Sequence, residues 1–354
     1  MKVLKILLTG AGAPGAPSIA KCIKENGEKE VSLIGVDASK RVNTEDIFEK
    51  IYNVPKAIEE NFIETVKDIC LKEQIDILLP IVTKELNKFA KAKSEFEEIG
   101  VKVLVLDYEV LKIVNNKVNL FNYLKNNDLE VPKYYEINNV NEITEKVQLL
   151  GYPDKDVCIK IAEGNGSRGV RILTENISKY DVFFNEKPNS MFCKLEDVLN
   201  ILSEKKSIPQ MMVMESLPNN EWGVDAIAVD GEIINILCRR TTKIQHSITM
   251  ECEIAPNKTI EYLCREIVKR LNITGSIGFD FKEDINGHTK ILEINPRLTA
   301  TVAINNAAGI NFPWMAIKLA VDGTVEKVED LKKVRMIRRY EEYFYEIEEK
   351  CYEK

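Results

Sequence analysis

The residues best suited to chemistry lie in the stretch 275–300, which reads GSIGFDFKEDINGHTKILEINPRLTA. We expect two strands joined by a tight turn at Asn286-Gly287, because both central positions of a type I′ turn need a positive φ. A two-residue turn there pairs Asp280 with Glu293. Directly opposed side chains have Cβ atoms about 5 Å apart, where two like charges repel each other. The pattern therefore predicts two carboxylates that a bound cation would bring together.

One face of this hairpin is polar and the other is apolar. Because side chains alternate along a strand, Asp280, Glu293 and Asn295 share one face. The same register pairs Phe281 with Leu292. The opposite face is formed by apolar side chains, at Ile277, Phe279, Phe281, Leu292 and Ile294. Carboxylate and amide oxygens at this spacing suit Mg²⁺, whose coordination is usually completed by water and substrate phosphates. The sequence predicts a magnesium site, with a solvated polar face as the alternative.

A lysine and a glycine-rich loop lie together at 157–173, which reads VCIKIAEGNGSRGVRIL. Lys160 falls in the middle of the first strand, and the loop Gly164–Gly169 turns back into a second strand. Glycines let backbone N–H groups approach phosphate oxygens, and Ser167 and Arg168 add donors. No GK[ST] follows, so this is not a Walker loop. The pattern favours a phosphate-binding loop over a flexible hairpin tip.

The first 106 residues alternate strands and helices. Expected strands are Val3–Thr9, Val31–Asp37, Asp76–Val82 and Val101–Leu106. Expected helices run from Pro17 to near Gly27, over Asn61–Lys72 and over Lys84–Glu98. Such alternation is typical of a parallel, doubly wound α/β sheet.

A glycine triplet, Gly10-x-Gly12-x-x-Gly15, follows the first strand, and Asp37 ends the second. Together they match the dinucleotide fingerprint, in which the backbone approaches a pyrophosphate and the acid binds a ribose. Two prolines crowd this loop, however, and nothing downstream supplies a hydride-transfer site. A tight strand-to-helix turn that holds part of another substrate is therefore favoured over NAD binding.

Composition limits the class of protein. A chain of 354 residues can form two or three domains, and its net charge of −7 gives no general basic surface for nucleic acid. No apolar run reaches the ~18 residues of a membrane span, and the N-terminus reads as a strand rather than as a signal peptide. The eight cysteines are scattered without C-x-x-C spacing, which favours reduced thiols in a cytoplasmic protein.

Other segments have simpler expectations. Helices are expected over 107–127, near Asn141–Leu150, over Ile260–Leu271 and over Val302–Val321, with a strand at 211–216 and a hairpin about Asp230-Gly231. Residues 174–210 are expected to hold a helix and an insertion. Arg239-Arg240 suggests either an anionic substrate or a salt-bridged surface, and Asp225 is a candidate polar contact. The charged end, Val325–Lys354, is expected to be a surface helix without chemistry.

Taken in order, these motifs resemble those of ATP-grasp enzymes, in particular the carbamoyl-phosphate-synthase-like branch. The resemblance runs from Leu7 to about Val321. It implies a Rossmann-like pre-ATP-grasp domain at 1–113, followed at 114–325 by an ATP-grasp fold of two α+β subdomains. The lid subdomain would span about 128–213, and a charged segment would occupy 326–354. The fold class is thus α/β, with α+β character in the C-terminal part.

The resemblance also implies residue roles around ATP and Mg²⁺ (or Mn²⁺). Lys117 and Lys160 would hold the phosphates from two sides. The loop with Gly166, Ser167 and Gly169 would close over the phosphates as a lid. The adenine would be bound by a hinge that contains Glu215, Ser216 and Leu217. The ribose hydroxyls would be bound by Glu221.

The same resemblance assigns the metal and the reaction centre. Asp280, Glu293 and Asn295 would hold one or two Mg²⁺. Arg297 would lie by the γ-phosphate and the acyl phosphate, and Arg239 is similar in position to arginines that hold a carboxylate substrate. With Lys160, these two arginines are the expected catalytic residues.

The implied activity is ligation of a small-molecule carboxylate to an amine or a thiol through an acyl phosphate, with ADP and phosphate as products. The resemblance also implies a homodimer. Two features differ from the family pattern: Leu298-Thr299-Ala300 follows the NPR motif where relatives often carry a Ser-Gly pair, and only one ATP-grasp unit is present. Carbamoyl phosphate synthesis itself is therefore not expected. The rival hypotheses are a non-catalytic ATP-binding sensor and an NAD-dependent oxidoreductase.

Overall fold

The computed structural model of the protein describes residues 3–44, 46–164, 166–187, 190–245, 248–342 and 344. The described residues of the N-terminal part form five strands, β1 (Leu4–Thr9), β2 (Val31–Asp37), β3 (Lys50–Asn53), β4 (Ile77–Leu79) and β5 (Lys102–Val103). Its helices are α1 (Ala16–Lys24), α2 (Phe62–Glu73), α3 (Thr83–Lys91) and α4 (Lys93–Glu98). The strands form one parallel sheet in the order β3-β2-β1-β4-β5.

This sheet confirms the predicted doubly wound α/β arrangement. Strands β1 and β4 are apolar on both faces, as parallel strands covered by helices must be. Two details differ from expectation. Strand β3 was not predicted, because four half-exposed residues carry little pattern, and the helix predicted over Lys84–Glu98 is interrupted at Ala92.

The middle of the chain forms a second sheet. Its strands are β6 (Tyr134–Ile137), β7 (Val157–Ile161), β8 (Arg171–Leu173), β9 (Phe192–Cys193) and β10 (Met211–Glu215), in the order β6-β10-β7-β8-β9. The helices here are α5 (Tyr108–Val114), α6 (Lys117–Asn126), α7 (Ile143–Leu149), α8 (Lys179–Asn185) and α9 (Leu195–Ser203), with a 3₁₀ turn at Val140–Glu142. The predicted helix over 107–127 is therefore two helices. It breaks because the Asn116 side chain accepts the N–H groups of Val118 and Asn119 and caps α6.

The third sheet carries the predicted hairpins. Its strands are β11 (Glu221–Val229), β12 (Glu232–Gln245), β13 (Ile248–Ile254), β14 (Gly275–Glu283), β15 (Thr289–Asn295) and β16 (Arg335–Ile337). All neighbours are antiparallel, in the order β15-β14-β11-β12-β13-β16. Asp230 and Gly231 both have positive φ, as the predicted turn between β11 and β12 requires. Helices α10 (Lys258–Arg270), α11 (Ala303–Ala308) and α12 (Phe312–Asp322) follow in chain order.

The C-terminal part corrects two predictions. The helix predicted over Val302–Val321 ends at Gly309, whose φ of +117° is left-handed, and restarts at Phe312. The charged end contains strand β16 rather than a helix across its described residues, because Arg335–Ile337 pairs with Glu251–Glu253 of β13. The rest of that prediction, at 343 and 345–354, lies outside the described residues.

The N-terminal sheet and the third sheet share a core. Helix α1 packs against α12, and Ile19 and Ile23 lie in one buried cluster with Phe312 and Trp314. This packing brings the glycine loop after β1 to the end of β15. Among the described residues no helix is long and apolar enough to cross a membrane.

Candidate active site

Asp280 and Glu293 are directly opposed on β14 and β15, as the sequence predicted. Asn295 donates a hydrogen bond from Nδ2 to Asp280 Oδ2 at 2.8 Å. Burial raises the pKa of Asp280, and the charge of Glu293 beside it raises that pKa further. The carboxylates therefore repel each other in a poorly solvated position, and a cation between them would relieve that repulsion.

The turn of this hairpin differs from the predicted type I′ turn. Asp284 O accepts the N–H of Gly287 at 3.0 Å, and Asp284 Oδ1 accepts the N–H groups of Asn286 and His288 at 2.8 and 2.9 Å. Gly287 has a positive φ, but Asn286 does not. An aspartate that caps its own turn in this way lengthens the loop by one residue.

The longer loop makes the predicted pairing of Phe281 with Leu292 wrong. Phe281 pairs with Ile291, and a bulge between Asp280 and Phe281 restores the register at Glu293. Ile277, Phe279, Phe281 and Ile294 are buried as predicted, but the buried position expected for Leu292 is taken by Ile291. Leu292 instead lines the cavity described next.

A cavity of about 310 Å³ lies between the second and third sheets. Lys117, at the first turn of α6, places Nζ 2.9 Å from Glu293 Oε2 and donates to the carbonyl of Gly164 at 2.9 Å. Lys160 enters from β7 with 4% of its surface exposed. Its Nζ lies 3.4 Å from the carbonyl of Leu292, and burial lowers the pKa of Lys160 to about 8. Two lysines therefore converge on this cavity, and one of them contacts the acidic pair.

The glycine-rich loop covers the same cavity. Gly166 and Ser167, both at positive φ, line it together with Arg168. Gly169 does not line it: a Cβ at Gly169 would lie 2.8 Å from Ile161 Cγ2, so this glycine lets the loop pack onto β7. Residue 165 of the predicted loop lies outside the described residues.

The predicted hinge forms another wall of the cavity. Glu215 and Leu217 line it, whereas Ser216 is not among its lining residues. Glu215 Oε1 accepts the N–H of Lys133 at 2.8 Å, so this carboxylate fixes the hinge to the chain before β6. Glu221 lines the cavity as well, and burial raises its pKa.

A second cavity, of about 500 Å³, adjoins the first. Asp280, Glu293 and Glu221 line both cavities, so the acidic pair lies at their junction. Four arginines line the second cavity, Arg168, Arg239, Arg297 and Arg338.

Arg297 faces the junction. Its Nε donates to Thr83 Oγ1 at 3.0 Å, and its NH1 donates to the carbonyl of Leu298 at 2.8 Å. Asn295 Oδ1 lies 3.4 Å from its NH2, so the amide oxygen of Asn295 is directed at this arginine and its nitrogen at Asp280. Burial lowers the pKa of Arg297.

Arg239 is held more tightly than the sequence indicated. Its NH1 forms a buried ion pair with Asp225, and its NH2 lies 3.3 Å from Thr299 Oγ1. The guanidinium lies against Gly223, where a Cβ would come within 2.6 Å of NH2. Asp225 thus has a definite partner. Of the two possibilities predicted for Arg239-Arg240, the surface salt bridge is formed by Arg240 with Glu253, whereas Arg239 is buried.

The glycine triplet has two structural roles. Asp37 Oδ2 accepts the N–H of Gly12 at 2.8 Å, and its Oδ1 accepts the N–H of Ser39 at 2.7 Å. Asp37, the acid that would bind a ribose in the dinucleotide fingerprint, therefore forms hydrogen bonds within the protein instead. Gly15 packs on the third sheet, since a Cβ there would lie 2.8 Å from Ala300 Cα. Ala13, Pro14 and Gly15 line the second cavity.

The donor set at the junction fits Mg²⁺. Two carboxylates meet at the mouths of two cavities, and their mutual repulsion would be relieved by a hard divalent ion that retains open positions for water and phosphate. Within the described part of the chain no group of three or more His, Cys, Asp or Glu side chains could hold a metal by itself. The site therefore fits a metal that is bound partly by substrate rather than by a complete protein cage.

Sequence reasoning missed Arg338. It follows β16 and lines the second cavity, in a segment where no chemistry was expected. In the sequence, Arg338 was only one of many charged residues in the C-terminal segment, so nothing marked it as part of a site. The pairing of β16 with β13, which places it at the cavity, is a long-range contact without a local signature.

The chain matches two families. One, described as "ATP-grasp in the biosynthetic pathway with Ter operon", matches residues 207–342. The other, described as "PylC-like, N-terminal domain", matches residues 6–104. The carbamoyl phosphate synthase large chain of Pseudothermotoga lettingae is 24% identical over 294 residues, which are 78% of this chain and 24% of that protein. The present chain thus spans about a quarter of the length of this relative.

Solved structures share the fold. N5-carboxyaminoimidazole synthetase from Staphylococcus aureus, complexed with ADP, has a TM-score of 0.67 at 14% identity, over 95% of this chain and 82% of that one. The L-amino acid ligase from Bacillus licheniformis has a TM-score of 0.64 at 14% identity, over 92% of this chain and 75% of that one.

These matches support an ATP-grasp domain at residues 207–342 and a PylC-like N-terminal domain at residues 6–104. The chain is similar to part of the carbamoyl phosphate synthase large chain.

Proposed function

We propose that this protein is an ATP- and Mg²⁺-dependent ligase that joins a carboxylate to an amine through an acyl phosphate and releases ADP and phosphate. The observation that carries the proposal is the position of Asp280 and Glu293 at the junction of two cavities. Lysines converge on one cavity and arginines line the other. Such a junction suits the transfer of a phosphoryl group from a nucleotide in the first cavity to an acid in the second.

The first cavity is assigned to ATP. Lys117 and Lys160 would neutralise the phosphates, and the backbone of Gly166 and Ser167 would approach them from the loop. Glu215, Ser216 and Leu217 form the hinge assigned to adenine, with Glu221 assigned to the ribose. Gly169 supports the loop by packing on β7. Asp280 and Glu293, with Asn295 beside them, would hold Mg²⁺, which supplies charge neutralisation between nucleotide and acid when bound.

The second cavity is assigned to the acid and the amine. Arg297 would stabilise the charge that develops as a carboxylate oxygen bonds to the γ-phosphorus and the bond to ADP breaks. The amine nitrogen then bonds to the acyl carbon, the C–O bond to phosphate breaks, and the amine proton leaves to solvent. Arg239 would orient the acid. No nucleophilic side chain is required, because phosphoryl transfer relies on positioning and charge neutralisation.

Further assignments rest on the same proposal. We place the domain boundaries near 113 and 325, with a lid subdomain at about 128–213 that corresponds to the second sheet. A thiol could replace the amine as acceptor. We also propose that the protein acts in the cytoplasm on small-molecule substrates and that it forms a homodimer. NAD is not favoured as the ligand, since Asp37 already accepts the N–H groups of Gly12 and Ser39.

The test is release of ADP and phosphate from Mg·ATP across a panel of amino acids and small carboxylates, each paired with amines. Release that requires one particular acid would establish a ligase. ATP binding by calorimetry without release for any member of the panel would favour the non-catalytic sensor. Absence of ATP binding would contradict the proposal.

A further inference from the structure

Arg338 differs from Arg239 and Arg297, which also line the second cavity, in the groups that surround it. Its Nε donates to the carbonyl of Thr249 at 3.0 Å, and its NH2 donates to the carbonyl of Ala300 at 2.5 Å. Both partners are neutral. A guanidinium carries five N–H donors, so these two bonds leave donors for a further ligand.

The charges nearest to Arg338 are also unusual. Burial lowers the pKa of Arg338, and the neighbouring guanidinium of Arg239 lowers it further, whereas the Cys252 thiol raises it. Arg239 has Asp225, and Arg297 lies within reach of Asp280 and Glu293. A half-buried cation beside a second cation is unfavourable unless an anion joins it.

The loop after the NPR motif contacts both Arg338 and Arg297. Arg297 donates to the carbonyl of Leu298 and Arg338 to that of Ala300, two residues further along. Because two residues span at most about 7 Å, the two carbonyl groups that these guanidiniums contact lie close together in the wall of one cavity. Gly15 packs against Ala300 of the same loop.

We propose that Arg338 binds a second anionic group of the acid substrate, so that the acid is a short dianion with one end at Arg297 and the other at Arg338. The second group is a carboxylate or a phosphate ester, both of which match the planar fork of arginine. This inference rests on the proposed function, because it takes the second cavity as the site of the acid. It makes the C-terminal segment a determinant of specificity.

The test is calorimetric titration of the full chain, saturated with Mg²⁺ and a non-hydrolysable ATP analogue. Matched probes are L-glutamate against L-glutamine, glutarate against pentanoate, and glycerate phosphate against glycerate. We expect at least one dianion to bind about tenfold more tightly than its singly charged partner, which is the size of a charge-assisted contact. The pair that shows the preference identifies the group as carboxylate or phosphate.

Arg338→Gln should reduce that preference to less than about twofold while the analogue still binds, and Arg338→Lys should keep part of it because the charge remains. Arg335→Gln is the matched control: this arginine lies three residues earlier, is 61% exposed and pairs with Glu251. A merely structural role for Arg338 would weaken both members of a pair equally. The inference would be overturned if the unaltered protein bound both members of every probe pair equally tightly, or bound none of the probes. Loss of analogue binding would instead count against the proposed function.

Discussion

Lys117 Nζ lies 2.9 Å from Glu293 Oε2 and at the same distance from the carbonyl of Gly164. One ammonium group therefore joins the glycine-rich loop to the acidic pair on β14 and β15. In the proposed function this lysine would exchange Glu293 for phosphate oxygens when nucleotide and metal enter. Movement of the loop and formation of the metal site are then linked through a single side chain.

Glu293→Ala is expected to abolish turnover while leaving the fold intact. The side chain of Glu293 is 32% exposed, so its ion pair with Lys117 contributes at most about 1 kcal/mol to stability, whereas the proposed metal loses a charged ligand. Steady-state ADP release should fall at least ~100-fold, an effect of ~2.7 kcal/mol on the barrier. Thermal unfolding should be nearly unchanged. Glu253→Ala, which removes an acid from an exposed pair with Arg240, is the matched control. Full activity of Glu293→Ala under saturating Mg²⁺ would refute the metal assignment.

Mg²⁺ affinity is expected to rise with pH. Burial and Glu293 raise the pKa of Asp280 to about 7, so its carboxyl group is partly protonated near neutrality and must lose that proton to bind a metal. Below that pKa the affinity should fall by up to about tenfold per pH unit, and above it the affinity should level off. Titration of Mg²⁺ at several pH values measures this slope. Asp280→Asn should remove the slope and weaken binding, and an unchanged slope in that variant would contradict the assignment.

Asp225→Ala should destabilise the protein by about 3–5 kcal/mol, because it leaves Arg239 buried without its counter-charge. Both side chains are at most 3% exposed. Chemical unfolding measures the change. The double variant Asp225→Leu with Arg239→Met removes both charges and should be markedly more stable than Asp225→Ala alone. If the single and double variants were equally unstable, the ion pair would not be the cause.

Gly15→Ala should weaken binding of the acid but not of ATP. The φ of Gly15 is −88°, which alanine adopts without strain, so the cost comes from contacts of 2.8 Å with Ala300 Cα and 3.1 Å with Ala300 Cβ. Separation of these two loops should cost about 1–3 kcal/mol and widen the second cavity. The KM for the acid should rise while calorimetry with ATP gives an unchanged affinity. A loss of ATP affinity instead would show that the glycine loop supports the first cavity.

Much of the site was visible in the sequence because it depends on local rules. Strand alternation placed Asp280 and Glu293 opposite each other, and a loop of glycines after a strand lysine marked the cover of the first cavity. The motif order then indicated the ATP-grasp fold, which the family and structure comparisons confirm. The type of turn between β14 and β15 was predicted less well, because the side chain of Asp284 accepts backbone N–H groups of its own loop.

By itself the sequence determined the parallel N-terminal sheet, the acidic pair and the two lysines, because hydrophobic period, turn residues and strand alternation act over a few positions. Only the tertiary structure decided that Leu292 faces the cavity, that Asp225 holds Arg239 and that Arg338 reaches the second cavity. These depend on a bulge, on a pair 14 residues apart and on the pairing of β16 with β13. The position of Leu292 follows from the longer turn that Asp284 caps and from the bulge that compensates for it. The other two contacts depend on the pairing of whole strands, which no short stretch of residues encodes.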